Sequence, residues 1–415
     1  MTRRLGLVVA LLALACADGG GEDILRGDPG KADLAGSCQG VANGDASPDG
    51  CYCDDDCYVY GDCCSDKIAI FGQDITFTTY NAGLVDAVGM VEQRRQPTLD
   101  ALRENVSDVM CMQEVWSDED AQRIADELAD VYPHSFRQIT EADENSWFAC
   151  KPWHALDLYG LNSCVSDKCS DVSLFECIAN QCASEYDELV PECQLCLSAN
   201  SESPMSCFAR AEKFANDGRN GLLLLSRMPI DEPRYTEFPT HLIKRGVITA
   251  KVRDFQVQCT HLTADLGRIP YPEGQAVSSW AEEHLSQAAL MAEAAGDQQC
   301  TILFGDLNTG PEGEGIEGEL ADNYDQIVGM GYLPGDDQDV GCTHCASNPM
   351  VGGSHSSRID HVLLKNCDPA HAVASFRSFD EPITIVNEGR ELESRYSDHY
   401  GVTAVLSLFA NADLE

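Results

Sequence analysis

The sequence predicts an α/β domain of layered-sandwich type behind a small disulfide-rich module, and three observations carry that expectation. From residue 74 onward, short apolar runs rich in Thr, Val, Ile and Phe alternate with stretches of helical spacing, the texture of sheets covered by helices. Six cysteines crowd into residues 38–64, a segment too short to bury a core without cross-links. A chain of 415 residues with 44% hydrophobic content can bury at least one large core, which excludes a disordered or fibrous protein.

Residues 1–16 have the layout of an export signal: Arg3 and Arg4, an apolar run from Leu5 to Ala15, then Cys16. The run is too short to span a bilayer as a mature helix. Ala13-Leu14-Ala15 suits an ordinary signal peptidase, whereas Leu-Ala-Leu-Ala-Cys resembles a bacterial lipobox that would make Cys16 a lipidation site. Setting Cys16 aside from the 21 cysteines leaves an even number, which favours the lipoprotein reading. The cysteine density points to an oxidising compartment, so the chain is expected to be exported, as a cell-envelope lipoprotein or a secreted protein. Residues 17–36, rich in Gly and Asp, read as a flexible acidic tether. Acidic residues recur in every segment, 69 Asp+Glu against 27 Lys+Arg for a net charge of −42, and this surface repels a phosphate backbone at long range. Extended nucleic-acid binding is thereby disfavoured, although a bound cation inverts the field at a local site.

Residues 37–67 hold Cys38, Cys51, Cys53, Cys57, Cys63 and Cys64. Their spacing and the run Tyr60-Gly61-Asp62-Cys63-Cys64 resemble a somatomedin-B domain in which two cysteines that pair with each other in the family are absent. Spacing alone leaves the connectivity open. The resemblance implies Cys38–Cys53, Cys51–Cys64 and Cys57–Cys63, and a protein or surface ligand as the module's partner. A zinc site is the alternative, disfavoured by the lack of histidine in the cluster.

In the main domain, Asp74–Tyr80 and Asp108–Glu114 read as strands and Asp118–Asp130 as a helix. Gly221–Ser226, Gly246–Val252, Phe255–His261, Thr301–Gly305, Ile359–Leu364 and Val402–Leu408 read as further strands. Val277, Trp280, Ala281, Leu285, Ala288 and Met291 share one helix face. Eight cysteines at about 150–207 mark a disulfide-stapled, largely helical insertion. Cys111, Cys259, Cys300, Cys342, Cys345 and Cys367 remain, several of them readable as buried hydrophobes.

Six short motifs carry chemistry. They are Asn81 after Thr78-Thr79-Tyr80, Glu114 in Met112-Gln113-Glu114, His261 in Cys259-Thr260-His261-Leu262, Gly305-Asp306-Leu307-Asn308-Thr309, Arg358-Ile359-Asp360-His361 and Ser397-Asp398-His399-Tyr400. Singly, Asn81, Asp306 and Asn308 read as turn formers, Glu114 as a solvated strand end and His261 as a core histidine. Jointly they fall at predicted strand ends, where converging loops build sites.

Together these motifs resemble the endonuclease/exonuclease/phosphatase (DNase I-like) superfamily over about residues 70–410, apart from the insertion. The resemblance implies a four-layer sandwich, two packed mixed β-sheets flanked by helices. It also implies a metal-dependent phosphoric diester hydrolase working by in-line attack of water, with Mg²⁺ or another hard divalent cation. Glu114 would be the main ligand, Asn81 would complete the shell or hold the phosphate, and Asp398 would be a further ligand or an orienting group. His399, oriented by Asp360, would take the proton of the attacking water. Asp306 and Asn308 would position water and phosphoryl oxygens, and His261 would protonate the leaving oxygen or stabilise its charge. His361 is expected to be structural.

Arg219 and Asn220, at the start of a strand on the family's catalytic side, would contact substrate. Segments Asn220–Ile230, Lys244–Val247 and Thr343–Asp360 look like neutral sphingomyelinase relatives, so the expected substrate is a phospholipid headgroup. The alternatives are a nucleic-acid substrate, as for a DNase I-type nuclease, and a non-catalytic surface binding protein. The insertion, with Trp147, Trp153, Leu156 and Tyr159 near its entry, is expected to wall the substrate site.

Overall fold

The computed structural model describes residues 36–408, apart from 55–56, 58–61, 65–66, 68–72, 86–87, 142–148, 152–154, 170–176, 179–180, 201–203, 368–371 and a few isolated positions. The signal segment, Cys16, most of the tether, Tyr60, Gly61, Trp147 and Trp153 lie outside the described residues. The first sheet has seven strands in the order β10 (Asp336–Asp339), β12 (Ala372–Ser378), β15 (Gly401–Leu408), β1 (Gln73–Asn81), β2 (Val109–Gln113), β4 (Leu223–Ser226) and β3 (His134–Phe136). The second has six, in the order β5 (Asp231–Glu237), β6 (Gly246–Val252), β7 (Phe255–His261), β8 (Thr301–Asp306), β11 (Asp360–Lys365) and β9 (Leu333–Pro334). Both are mixed: β1/β2, β7/β8 and β10/β12 are parallel, the other pairs antiparallel. A separate hairpin joins β13 (Ile383–Asn387) to β14 (Arg390–Ser394).

The period-2 alternation of each strand assigns its residues to layers. Ile75 and Phe77 of β1, Val109 and Cys111 of β2, Val257 and Cys259 of β7, and Ile302 and Phe304 of β8 meet in one core between the sheets. Tyr80, Met110 and Met112 face outward onto α1 (Val91–Glu104) and α2 (Asp118–Glu127). Three helices, α3 (Ala155–Lys168), α4 (Ala183–Asp187) and α5 (Pro191–Ala199), build the insertion. Leu303 and Leu363 face α6 (Trp280–Ala295) and α7 (Ala321–Gly329) on the far side of the second sheet, which completes a four-layer α/β/β/α sandwich. Among the described residues, no helix is long and apolar enough to cross a membrane.

Local signals explain most boundaries. Ser117 caps α2 by accepting the Asp120 N–H at 2.9 Å, and Ser279 caps α6 by accepting from Glu282, so that helix starts three residues later than the apolar face suggested. Some elements escaped the sequence pattern. Helix α1 is polar and contains Pro97, and it is held by the buried Arg94, whose guanidinium donates to the carbonyls of Ala82, Gly83 and Tyr396. Strand β5 is exposed and contains Pro233, a residue confined to sheet edges, and so reads as a loop.

All twenty cysteines after Cys16 are bridged. The module holds Cys38–Cys53, Cys51–Cys64 and Cys57–Cys63, and Cys57 and Cys63 pack into the core between the sheets. The insertion holds Cys150–Cys193, Cys164–Cys182, Cys169–Cys177 and Cys196–Cys207 around a small core of its own. The six remaining cysteines are not free buried hydrophobes, as several were read to be. They form Cys111–Cys259, where the packing of the two sheets brings β2 against β7, Cys300–Cys367 at the adjoining ends of the paired strands β8 and β11, and Cys342–Cys345 within one loop.

Cys111–Cys259 crosses the interior from β2 to β7 and closes a separation of 148 residues. Replacing both by Ala is expected to lower unfolding stability by about 2–5 kcal/mol, the usual scale for a native bridge. The check is a urea titration of both proteins; an unshifted midpoint would mean that the bridge adds nothing to the packed sandwich.

Candidate active site

The site sits where the inner faces of the strands run out of apolar residues. In β8 the inward series is Ile302, Phe304, Asp306; in β7 it is Val257, Cys259, His261; in β1 it is Ile75, Phe77, Thr79, Asn81. Register completes the placement. His261 of β7 and Asp360 of β11 both pair with Asp306 of β8, one on each side, so three functional side chains form one cross-strand row. Gly305 permits the close approach of β8 to β7, since a Cβ there would stand 2.2 Å from the Thr260 carbonyl oxygen. Glu114 leaves the end of β2 with a positive φ of 56°, and Asn308 turns with φ 48°. Asp398 and His399 lie on the turn before β15.

Asp306 is the shared acceptor. Its Oδ2 receives the Asn81 Nδ2–H at 2.9 Å and stands 3.2 Å from His261 Nε2 and 3.9 Å from His399 Nδ1. Its Oδ1 accepts the Asn308 backbone N–H at 2.9 Å, while the Asn308 side chain donates to the Leu262 carbonyl. Asn81 therefore enters the cluster as a donor, with its own Oδ1 accepting from Gly83 N–H at 3.1 Å. His399 Nδ1 faces Asp360 Oδ2 at 2.9 Å, and the buried Asp360 Oδ1 has no hydrogen-bond partner.

Two residues absent from the sequence-derived set belong here. Arg245, immediately before β6, is buried and donates to His261 Nδ1 at 2.7 Å. His344 lies against His399 with ring centroids 5.1 Å apart. Thr343, beside it, accepts the N–H groups of Ile359 and Asp360 on its hydroxyl and that of Tyr400 on its carbonyl, so the Cys342–Cys345 ring encloses the tie between the Asp360 strand and the His399 turn. Both lie in segments singled out by resemblance, Lys244–Val247 and Thr343–Asp360, but neither is given a role by it, because only the folded register sets them beside His261 and His399.

Arg219 and Asn220 do not join the cluster. Arg219 pairs with Asp118 at 2.8 Å and with the Thr140 carbonyl, and Asn220 spends its amide on the Gln138 carbonyl and the Leu222 N–H. His361 contacts the carbonyls of Thr309 and Arg358.

The electrostatics separate the two histidines. Burial and the Arg245 charge push His261 down to about 4. Burial would also lower His399, but Asp360, Asp306 and Asp398 outweigh it and hold its pKa well above the usual value. Burial and the Asp398 charge raise Glu114 to about 7, and burial raises Asp360 to about 6. Burial alone would raise Asp306; His261, His399 and the Asn81 amide hold it well below the carboxylate range. Burial and the His399 charge lower His344 to about 4. Four carboxylates thus converge with too little positive charge beside them, and one buried oxygen is unpartnered. That donor set fits a hard divalent cation.

The profile of the Endonuclease/Exonuclease/phosphatase family matches residues 79–399. The chain belongs to this family. Among solved structures, SmcL shares the fold with a TM-score of 0.50 and 13% identity, covering 80% of this chain and 99% of that one. Sphingomyelinase C from Streptomyces griseocarneus gives 0.46 and 16% over 80% of this chain and 99% of its own. A beta toxin from Staphylococcus aureus with bound magnesium ions gives 0.48 and 12% over the same shares, 80% and 99%. Comparison with the curated proteins finds no match.

Loops at the strand ends carry the candidate site, and two of them are clamped together. The buried Glu283 of α6 accepts from Thr263 at 2.9 Å and Tyr271 at 3.0 Å and faces His241 Nδ1 at 2.6 Å, which ties the loop before Arg245 to the loop after His261. Leu195 and Ala199 of the insertion pack against Leu242, Ile269 and Trp280 on the same loops. The Glu283 contact raises His241 above its usual 6.5, so its stabilisation is complete below that value and is lost as pH rises through the raised folded-state pKa. The melting-temperature gap between wild type and His241→Gln should therefore be widest near about pH 6 and shrink toward about pH 9; a gap constant across that window would show that the charge on His241 is not used.

Proposed function

We propose that the chain is an exported, metal-dependent phosphodiesterase whose substrate is a phospholipid headgroup ester, in the manner of a sphingomyelinase C. The observation that carries the diesterase reading is the pair of histidines that converge on Asp306 Oδ2, His261 Nε2 at 3.2 Å and His399 Nδ1 at 3.9 Å, beside Glu114, Asp360 and Asp398. Glu114 and Asp398, with Asn81 alongside, would hold Mg²⁺ or a similar cation, which supplies neutralisation of the phosphate charge. Asp360 on Nδ1 leaves Nε2 as the ring nitrogen of His399 that meets the attacking water and accepts its proton. Neutralising Glu114 and Asp398 removes part of the field that keeps His399 protonated, and so frees it as a base. Asp306 and Asn308 position the water and the phosphoryl oxygens, and His261 faces the leaving oxygen.

Charge supports a lipid over a nucleic acid. A chain with 69 acidic and 27 basic residues pays a long-range penalty against polyanions and anionic bilayers alike. A zwitterionic headgroup avoids that penalty. The β13–β14 hairpin, which precedes Asp398, carries Val386 and Leu392 to solvent, side chains suited to a lipid interface.

Excess chelator should abolish hydrolysis and magnesium should restore it, and Glu114→Ala, His261→Ala and His399→Ala should each lose at least about two orders of magnitude in rate. Assays on sphingomyelin vesicles, other phospholipids and DNA decide the substrate. Wild-type turnover in chelator sinks the mechanism, and DNA as the preferred substrate makes the protein a nuclease.

Export would expose Cys16 to lipidation. Intact-mass analysis of the mature chain is expected to show diacylglycerol on an N-terminal Cys16. An unmodified Cys16 would mean a soluble secreted protein, with the somatomedin-B-like module left to bind its partner free of the envelope.

A further inference from the structure

We infer that Arg245 fixes the tautomer of His261, so that His261 works as a permanent hydrogen-bond donor to the developing charge on the substrate and transfers no proton. The catalytic half of this inference rests on the diesterase reading; the tautomer half stands without it. The geometry leaves one assignment. Arg245 Nη1 lies 2.7 Å from His261 Nδ1, and a guanidinium has only donors, so Nδ1 must present its lone pair. The ring proton is then on Nε2, which faces Asp306 Oδ2 at 3.2 Å, an acceptor that suits an N–H.

The Nδ1 side of the ring is closed off by the buried Arg245. His261 and Arg245 are both buried, at 2% and 4% exposure, so water does not compete for Nδ1. The Arg245 carbonyl accepts from Phe238 N–H at 3.0 Å and from the Tyr235 hydroxyl at 3.2 Å, which pins its backbone to β5. Gly246 pairs with His261 in the β6–β7 register, which sets Arg245 beside the ring. The guanidinium stands 6.0 Å above the Trp116 ring, and Arg245 Nε is buried without a partner. Arg245 is therefore a positioning residue with its cation directed at one nitrogen.

The chemical consequence follows from counting protons. If Nε2–H were given to the leaving oxygen, His261 would become an imidazolate beside the Asp306 carboxylate. A second proton on Nδ1 would meet the Arg245 cation. Neither state is accessible, so the ring keeps its single proton throughout. In the step itself the water oxygen bonds to phosphorus and its proton passes to His399 Nε2. The bond from phosphorus to the leaving oxygen breaks with its electron pair on that oxygen, which receives the Nε2–H hydrogen bond of His261 and then takes a proton from solvent water. His399 later returns its proton to solvent. A preorganised donor of this kind commonly contributes about two to three orders of magnitude in rate.

The test uses the full chain labelled with ¹⁵N-histidine, with the His261 signals assigned by their loss in His261→Gln. Wild type should show bare Nδ1 and protonated Nε2 from about pH 5.5 to about 8.5, a range spanning ordinary histidine titration. Arg245→Met should admit a second proton or tautomer exchange, and Arg245→Lys should restore the single tautomer in part. With a soluble nitrophenyl phosphodiester, Arg245→Met and His261→Gln should each lose about a hundredfold in kcat with little change in KM. The loss should grow only modestly for a diester with a basic alkoxide leaving group, because a hydrogen bond responds to the charge on the leaving oxygen but no proton is delivered by the ring. Three results overturn the inference: an Nδ1–H on wild-type His261, undiminished kcat in a folded Arg245→Met, or a far larger His261→Gln loss with the alkoxide. Should the wild type hydrolyse no diester, the proposed function fails while the ring spectrum still decides for or against Arg245.

Discussion

The open end of the sandwich, where the candidate site lies, depends on Asp306 remaining a carboxylate although it is buried. A buried charge is costly unless it is paired and hydrogen-bonded, and here the partners come from four separate segments. Asn81 reaches across from the first sheet, His261 stands on the neighbouring strand, the Asn308 backbone turns back after β8, and the charged His399 supplies field from the turn before β15. Satisfying one anion thus fixes the relative positions of both sheets at their open end. Removing that charge would leave Asn81 and His261 as unsatisfied donors in the interior, which is a heavier penalty than the loss of one contact.

The fold was legible because its layers follow from alternation. The texture of strands and helices from residue 74 led to the α/β sandwich that the structure shows, in which Ile302, Phe304 and Asp306 form one inward series. His261 and Asp306 were legible only jointly, because six short motifs all fall at predicted strand ends in the order that resembles the family. Elements held by single long-range contacts were not legible. Helix α1 depends on Arg94, whose carbonyl partners lie on two connections far apart in sequence, and β5 is an edge strand exposed along most of its length. Arg245 and His344 were missed because their meaning is relational: neither acquires a role until register sets it beside a particular ring. Arg219 and Asn220 illustrate the converse, side chains of suitable type whose polar groups the local packing consumes.

Cross-links and clamps hold the loops that the sandwich alone leaves free. Cys342–Cys345 closes a short ring around Thr343 and His344, and that ring is joined to Asp360 on one side and to Tyr400, next to His399, on the other. So small a ring restricts the unfolded chain little, and its effect is better understood as local pre-organisation than as global stability. Cys111–Cys259 does the opposite, joining the two sheets within the core far apart in sequence. The insertion, stapled by four bridges of its own, rests on the loops that flank Arg245 and His261, so its rigidity is passed to the site through Leu242, Ile269 and Trp280.

The two central histidines show how one residue type is made to serve two purposes. His261 is boxed by a cation on Nδ1 and desolvated, which drives it neutral; His399 is boxed by three carboxylates, which drives it charged, although burial acts on both in the same direction. Environments that force neighbouring groups apart in this way give one ring a fixed proton and leave the other to exchange its own. The separation also has a structural cost that explains the surroundings. A cation such as Arg245 is tolerated in the interior only because Glu114 and Asp306 lie close enough to offset its desolvation, and Glu114 is also one of the carboxylates that would hold a divalent cation. The features that set the histidine roles and those that fit a metal are therefore one charge arrangement, and a change to either would be felt by both.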